Sequence, residues 1–261
     1  MNADWILPHW PAPAGVRALS TTRAGGYSTA PWASLNLGLN SGDDPAAVLK
    51  NRAVLRACLP AEPKWLRQEH GVNVFMHVDA GGDRALTGSD SPPAWAAGEP
   101  VADAQVASQP GQICVVLTAD CLPVLFCNRA GTRVAAAHAG WRGLLAGVLE
   151  QTVRALGEPP DRLMAWLGPA IGARAYEVGD ELRAAFVLQD GAAAAACFQR
   201  RGERWLFDLY AMARHRLARA GVAEVGGGSC CTYHEPQRFF SYRRDGRTGR
   251  MASLVWLEPN R

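Results

Sequence analysis

Three residues carry side chains suited to gripping a metal ion. His70 stands in Gln68-Glu69-His70-Gly71, Cys121 in Thr118-Ala119-Asp120-Cys121, and His138 in Ala137-His138-Ala139-Gly140-Trp141-Arg142-Gly143. Imidazole and thiolate are both good ligands for zinc, and also for copper. Two His and one Cys fill three positions and leave a fourth for water or substrate, the pattern of a catalytic zinc site; structural sites are closed by four protein ligands. Asp120, beside Cys121, is placed as an outer partner or a proton carrier. The chain has no H-E-x-x-H and no H-x-E with P-C-x-x-C, so the zinc-peptidase and zinc-deaminase signatures are absent. Spacing alone leaves a plainer reading open, in which the histidines are satisfied core or surface residues and the thiol is merely buried.

Three further segments have the chemistry to hold an anion or a flat ring. The Gly-bracketed turn after His138 leads into a helix and carries Arg142, a candidate phosphate or carboxylate cradle. Arg23 stands in the Gly-flexed loop Thr21–Gly26. The run Phe239–Gly246 sets aromatics, Tyr242 among them, before paired arginines. Each has an ordinary alternative: a strand–helix turn with a surface Arg, or aromatic core followed by a solvated turn.

The elements that position these residues are readable from periodicity. Gln112–Thr118, Leu122–Asn128 and Thr132–His138 read as strands, so Cys121 and His138 lie at strand ends. Leu145, Val148, Leu149, Thr152, Val153 and Leu156 follow helical spacing, with Gly157 as the stop. Arg162–Leu167 reads as a strand and Asp180–Leu188 as a helix. Asp208 is an N-cap for a helix to about Ala220, and Met251–Leu257 is a closing strand. Strands and helices mix without a regular βαβ rhythm, and no G-x-G-x-x-G follows a strand. The expectation is an α+β layered sandwich rather than a dinucleotide-binding sheet. The stretch 80–100, rich in Gly, Pro, Ser and Asp, reads as a long functional or mobile loop.

Composition narrows the function classes. The 261 residues are 48% hydrophobic with a net charge of +3 and no block of like charge, which argues against a nucleic-acid binder. Lys50 and Lys64 are the only lysines among 27 basic residues. No signal peptide or membrane-spanning run is present in the sequence, and seven cysteines without a C-x-x-C pair indicate reduced thiols and a cytoplasmic protein.

Short motifs then occur in a telling order: TTRAGGYS, SLNLG, QEHG, ADA, LTADCLPV, AHAGWRG, LGPAIG, YEVG and FFSYRRDGRTGRMASLVWL. This set resembles the YfiH-type laccase-domain proteins, also called the polyphenol oxidase or purine nucleoside phosphorylase family. The resemblance implies a single domain over 1–261, an α/β sandwich of mixed sheets flanked by helices and similar to deamidating toxin domains. It implies zinc, with copper as the alternative, held by His70, Cys121 and His138. The implied activities are phosphorolysis of adenosine, inosine and methylthioadenosine, adenosine deamination, copper-dependent phenol oxidation, and amidase-type editing of a peptidoglycan precursor. The six histidines include no H-x-H pair, so one chain cannot assemble a full multicopper set. Phosphorolysis fits best: Arg23 and Arg142 would hold phosphate, Tyr242 would stack the ring, and Asp120 would relay a proton. In the editing alternative Cys121 is the nucleophile and His138 its base. The expected ligands are a nucleoside and phosphate, with neither nucleic acid nor membrane.

Overall fold

The central strands are buried along nearly their whole length, so both faces of each must be covered, and the fold does this by stacking two sheets. The computed structural model describes residues 4–77, 84–86 and 98–259. Most of the loop expected over 80–100 lies outside them. The smaller sheet has the order β1 (Val16–Ser20), β13 (Met251–Leu257), β5 (Ile113–Thr118), all antiparallel. The larger has seven strands. Its order is β12 (Glu224–Gly227), β8 (Leu163–Leu167), β6 (Leu122–Asn128), β7 (Val134–Ala139), β4 (Ala104–Ala107), β2 (Val74–Met76), β3 (Arg84–Leu86). It is mixed: β12 with β8 and β2 with β4 are parallel, while the pairs around β6 and β7 are antiparallel. A small antiparallel sheet of β10 (Phe198–Arg201), β11 (Arg204–Phe207) and β9 (Glu177–Val178) completes the set.

The layers follow from which face each side chain takes. Val124 and Phe126 of β6 pack with Leu149, Val153 and Leu217, which belong to α3 (Val148–Leu156) and α5 (Leu209–Arg219). Leu125 and Cys127 face the other way, onto Val116 of β5 and Val255 of β13. The outer face of the small sheet, through Ile113, Val115 and Leu254, is covered by Leu55 of α1 (Pro45–Arg56) and by Leu35 and Leu37. The result is a single-domain α+β sandwich of helix, sheet, sheet and helix. Every residue of β6 is buried because both its faces are covered, which is why it reads as an unbroken apolar run.

The helical run after His138 differs from its expected form. Gly147 takes φ 98°, a left-handed conformation natural to glycine, and ends α2 (Trp141–Ala146) before α3 begins. The helix expected over 180–188 continues as α4 (Asp180–Ala195), broken only by left-handed Gly191. A short α6 (Tyr242–Asp245) opens on Ser241, whose Oγ accepts from Arg244 N–H. No helix among the described residues is long and apolar enough to cross a membrane. Asp208 caps α5 as its type predicts, accepting from Ala211 N–H. Asp208→Ala is expected to cost about 1 kcal/mol in urea denaturation, with metal content unchanged.

Candidate metal centre

Four neighbouring strands of the large sheet deliver the site from one end. In the register of β6 and β7, Leu122 faces Ala139 and Pro123 faces His138, so Cys121 emerges beside Gly140. Ala104 opens β4 opposite Ala137, which places Asp103 next to His138. Val74 of β2 pairs with Ala104, and the loop entering β2 carries His70. Segments 33 to 68 residues from His70 thus meet because strands pair, not because they are close in sequence.

The donor atoms converge. Those of His70, Cys121 and His138 all lie within 4.8 Å of one another, and this is the one such group of three or more among the described residues. Cys121 Sγ is 3.7 Å from His70 Nε2. Zinc bond lengths in a tetrahedron separate neighbouring donors by about 3.3–3.8 Å; the Cys121–His70 pair meets that spacing, and the whole set, within 4.8 Å, would hold the ion with a small inward shift. The two imidazole rings meet edge to face with centroids 4.7 Å apart. His138 is buried, Cys121 half-buried and His70 exposed, so the cluster opens towards solvent on the His70 side.

Asp103 organises the cluster. Its buried carboxylate accepts from the backbone N–H groups of Glu69 (3.1 Å), His70 (2.9 Å) and Gly71 (2.7 Å), and from His138 Nδ1 (2.8 Å). The last bond fixes the His138 tautomer and leaves Nε2 for a metal. The three backbone bonds hold His70 at φ 60°, a left-handed conformation uncommon outside glycine. Burial alone would raise the Asp103 pKa, but the hydrogen bond and charge of His138 and the N–H groups of Gly71 and Glu69 hold it below the usual carboxylate range. Asp103 was not singled out by sequence reasoning. The available signal was an acid flanked by alanines in Ala102–Ala104, entering an apolar strand.

Charge separates within the metal-free cluster. Burial opposes ionisation of Cys121, yet the positive charge of His138 and hydrogen bonds with both imidazoles draw the thiol down to about 6. Burial likewise opposes protonation of His138, but Cys121 and Asp103 push it up to about 9. Thiolate and imidazolium therefore coexist between those values. The loop packing is equally tight: a Cβ on Gly140 would stand 2.8 Å from His70 Cδ2 and 2.9 Å from Cys121 Sγ. Only glycine lets this turn pass so close to both ligands.

Of the other expected site residues, Arg142, Tyr242 and Asp120 line the cavities at the cluster and Arg23 does not. Arg142 lines both cavities that meet at the cluster, one of about 450 Å³ and one of about 250 Å³, with its guanidinium over Trp141. Tyr242 is exposed at the rim shared by both cavities. Arg23 is not brought to either: its Nε and Nη1 donate to the carbonyls of Ala33 and Pro236, and its guanidinium lies over Phe240. Asp120 is pinned at φ 92°, with Oδ1 accepting from Thr232 Oγ1 and Oδ2 from Arg243 N–H. The carboxylate that orients His138 is Asp103 instead. Arg52 and Arg250, absent from the sequence reading, line the larger cavity, and burial lowers the pKa of both.

Comparison with known proteins bears on this arrangement. Residues 17–258 match the family model described as multi-copper polyphenol oxidoreductase laccase. The chain is 53% identical over 258 residues to purine nucleoside phosphorylase YfiH of Escherichia coli (strain K12), covering 97% of this chain and 98% of that protein. It is also 53% identical to purine nucleoside phosphorylase PA4543 of Pseudomonas aeruginosa, covering 99% and 100%. The crystal structure of Neisseria meningitidis protein NMB0706 superposes with a TM-score of 0.88 at 47% identity, covering 98% of this chain and all of that one.

Two outcomes test this geometry. Asp103→Asn should weaken zinc binding about tenfold to a hundredfold in competition with a chromogenic chelator, because the His138 partner and the His70 loop anchor are lost together. In the metal-free chain, alkylation of Cys121 by iodoacetamide, mapped by peptide mass spectrometry, should be slow at acid pH and rise through a midpoint near pH 6.

Proposed function

We propose, on the premise that this chain belongs to the YfiH-type laccase-domain family, that it is a zinc-dependent purine nucleoside phosphorylase. The observation that carries the reading is the convergence of His70, Cys121 and His138 where two cavities meet, with arginines on the walls. The names of its relatives support the substrate class.

The reaction needs a bound phosphate, a ribose held at the metal centre and a pocket for the base. Phosphate oxygen forms a bond to the anomeric carbon as the glycosidic bond breaks, and the base leaves with a proton. Arg142 and Arg250 are the anion-holding groups in this proposal. They replace Arg23, which lines neither cavity at the cluster. Arginine serves here because its planar fork matches phosphate and keeps its charge when partly buried. Trp141, Tyr176 and Tyr242 give the smaller cavity flat apolar walls for a purine. His70, Cys121 and His138 would hold a zinc ion, whose Lewis acidity would act on a ribose hydroxyl or a water. Asp103 keeps His138 in the tautomer that ligation requires. Adenosine deamination is carried in the same proposal as a side activity.

A second reading rests on a separate observation. Cys121, His138 and Asp103 form a thiolate, imidazole and carboxylate array, the arrangement of a thiol hydrolase. It supports an amidase-type reaction in which Cys121 attacks a carbonyl carbon. The family description favours copper chemistry, and two His with one Cys are also blue-copper ligand types.

One assay separates the three. Zinc-loaded chain is incubated with inosine, with and without phosphate, and products are identified by mass. Ribose 1-phosphate formed only with phosphate is the expected result. Free ribose, which reports nucleoside hydrolysis, or no turnover would remove the phosphorylase reading; amide cleavage by the metal-free chain that is lost in Cys121→Ser would favour the thiol hydrolase. An intense blue thiolate band with oxygen uptake after copper loading would favour the oxidoreductase.

A further inference from the structure

The free cysteines divide by setting. Burial drives the Cys114 thiol far above its ordinary range, Cys127 up to about 12 and Cys197 up to about 11, and it also raises Cys230. Such thiols are inert. Cys230 and Cys231 both line a third cavity, of about 270 Å³, that shares no lining residue with the two at the metal centre; of the two, Cys231 has its sulfur against an imidazole.

Here the thiol has two polar partners and a fixed backbone. Gly172 N–H donates to Cys231 Sγ at 3.3 Å, and His234 Nδ1 lies 3.4 Å from the same sulfur. A Cβ on Gly172 would come within 3.2 Å of that sulfur, so the absence of a side chain permits the N–H to approach. Cys231 N–H donates to Glu235 Oε1 at 2.7 Å, and Glu235 in turn pairs with Arg238. Thr232 is anchored by its N–H to Ala170 O and by its hydroxyl to Asp120. The sulfur is therefore held against an N–H donor and an imidazole, with exposed Arg174 on the cavity wall.

We propose that Cys231, with His234 as its proton acceptor and Gly172 N–H as its sulfur donor, is a thiol-modification site that exchanges with small disulfides bearing carboxylates. The Cys231 proton passes to His234 Nδ1, and the sulfur attacks one sulfur of the disulfide. The protein–adduct S–S bond forms as the original S–S bond breaks. The departing thiolate takes the proton back from His234. Protein thiol plus disulfide gives mixed disulfide plus free thiol, with no further oxidant. Arg174 selects carboxylate-bearing partners by charge and by its planar fork. Asp208, also on the wall, has Oδ1 committed to capping α5.

The test uses the full zinc-loaded chain with glutathione disulfide, an anionic probe, and cystamine, a cationic one, with adducts mapped by peptide mass spectrometry over time. The mixed disulfide should form on Cys231 about tenfold faster than on Cys58 or Cys230, and faster with glutathione disulfide than with cystamine. His234→Gln should slow it about tenfold at unchanged Tm, since the proton acceptor is lost and the fold is not. Arg174→Gln should erase the preference between probes. Modification of Cys230 first, equal rates at Cys58, or an unchanged rate in His234→Gln would overturn the site. Cystamine reacting as fast as glutathione disulfide with the native chain would overturn the assigned partner class.

Discussion

A single buried carboxylate, that of Asp103, accepts hydrogen bonds from three successive backbone N–H groups and from an imidazole. Removing a carboxylate from water costs several kcal/mol, and an unpaired one would neutralise or move. Four donors, each worth about 1.5–3 kcal/mol to a charged acceptor, offset that cost. In doing so they tie the loop at His70 to the end of β7 at His138. Cys121 needs no comparable tie, since the β6–β7 pairing already sets it beside Gly140. The metal centre thus follows from strand register plus one anion.

Much of this architecture could be read from residue types, for physical reasons. β6 and β13 have the bounds their largely apolar runs suggest, because strands covered on both faces admit a polar residue only where it finds a partner, as Ser253 does in Ser20. Asp208 announces α5 by its capping chemistry. The break at Gly147 was less visible, since Leu145 and Val148 keep helical spacing across it and only the backbone reveals the left-handed turn. The three residues of the donor cluster were candidates by side-chain type, and the family resemblance singled them out together. Asp103 was not a candidate, because its importance arises only where β4, β7 and the loop before β2 come together. Arg23 illustrates the reverse. Its sequence setting suits an anion site, but folding places carbonyl oxygens within reach of its guanidinium and commits it to joining two chain segments.

Relatives called purine nucleoside phosphorylases and a family description that speaks of multi-copper oxidoreductases both match this chain, which has one such donor cluster among its described residues. The physical arrangement explains how one scaffold attracts such different descriptions. A thiolate and two imidazoles are ligands to more than one metal, and the same thiolate beside His138 and Asp103 is a nucleophile when no metal holds it. What differs between these chemistries is the occupant of the centre and the ligand in the adjoining cavities. There the chain contributes Arg250 and the Glu99-paired Arg52 to the larger cavity, Trp141, Tyr176 and Arg243 to the smaller, and Arg142 and Tyr242 to both.

The central claim is that His70, Cys121 and His138 share one ion. X-ray absorption at the zinc edge, on the chain loaded with one equivalent, reads the donors directly. The account predicts one sulfur and two imidazole nitrogens at zinc bonding distances, with a lighter donor in the fourth position. A shell of oxygen and nitrogen alone, or one with two or more sulfurs, would contradict it.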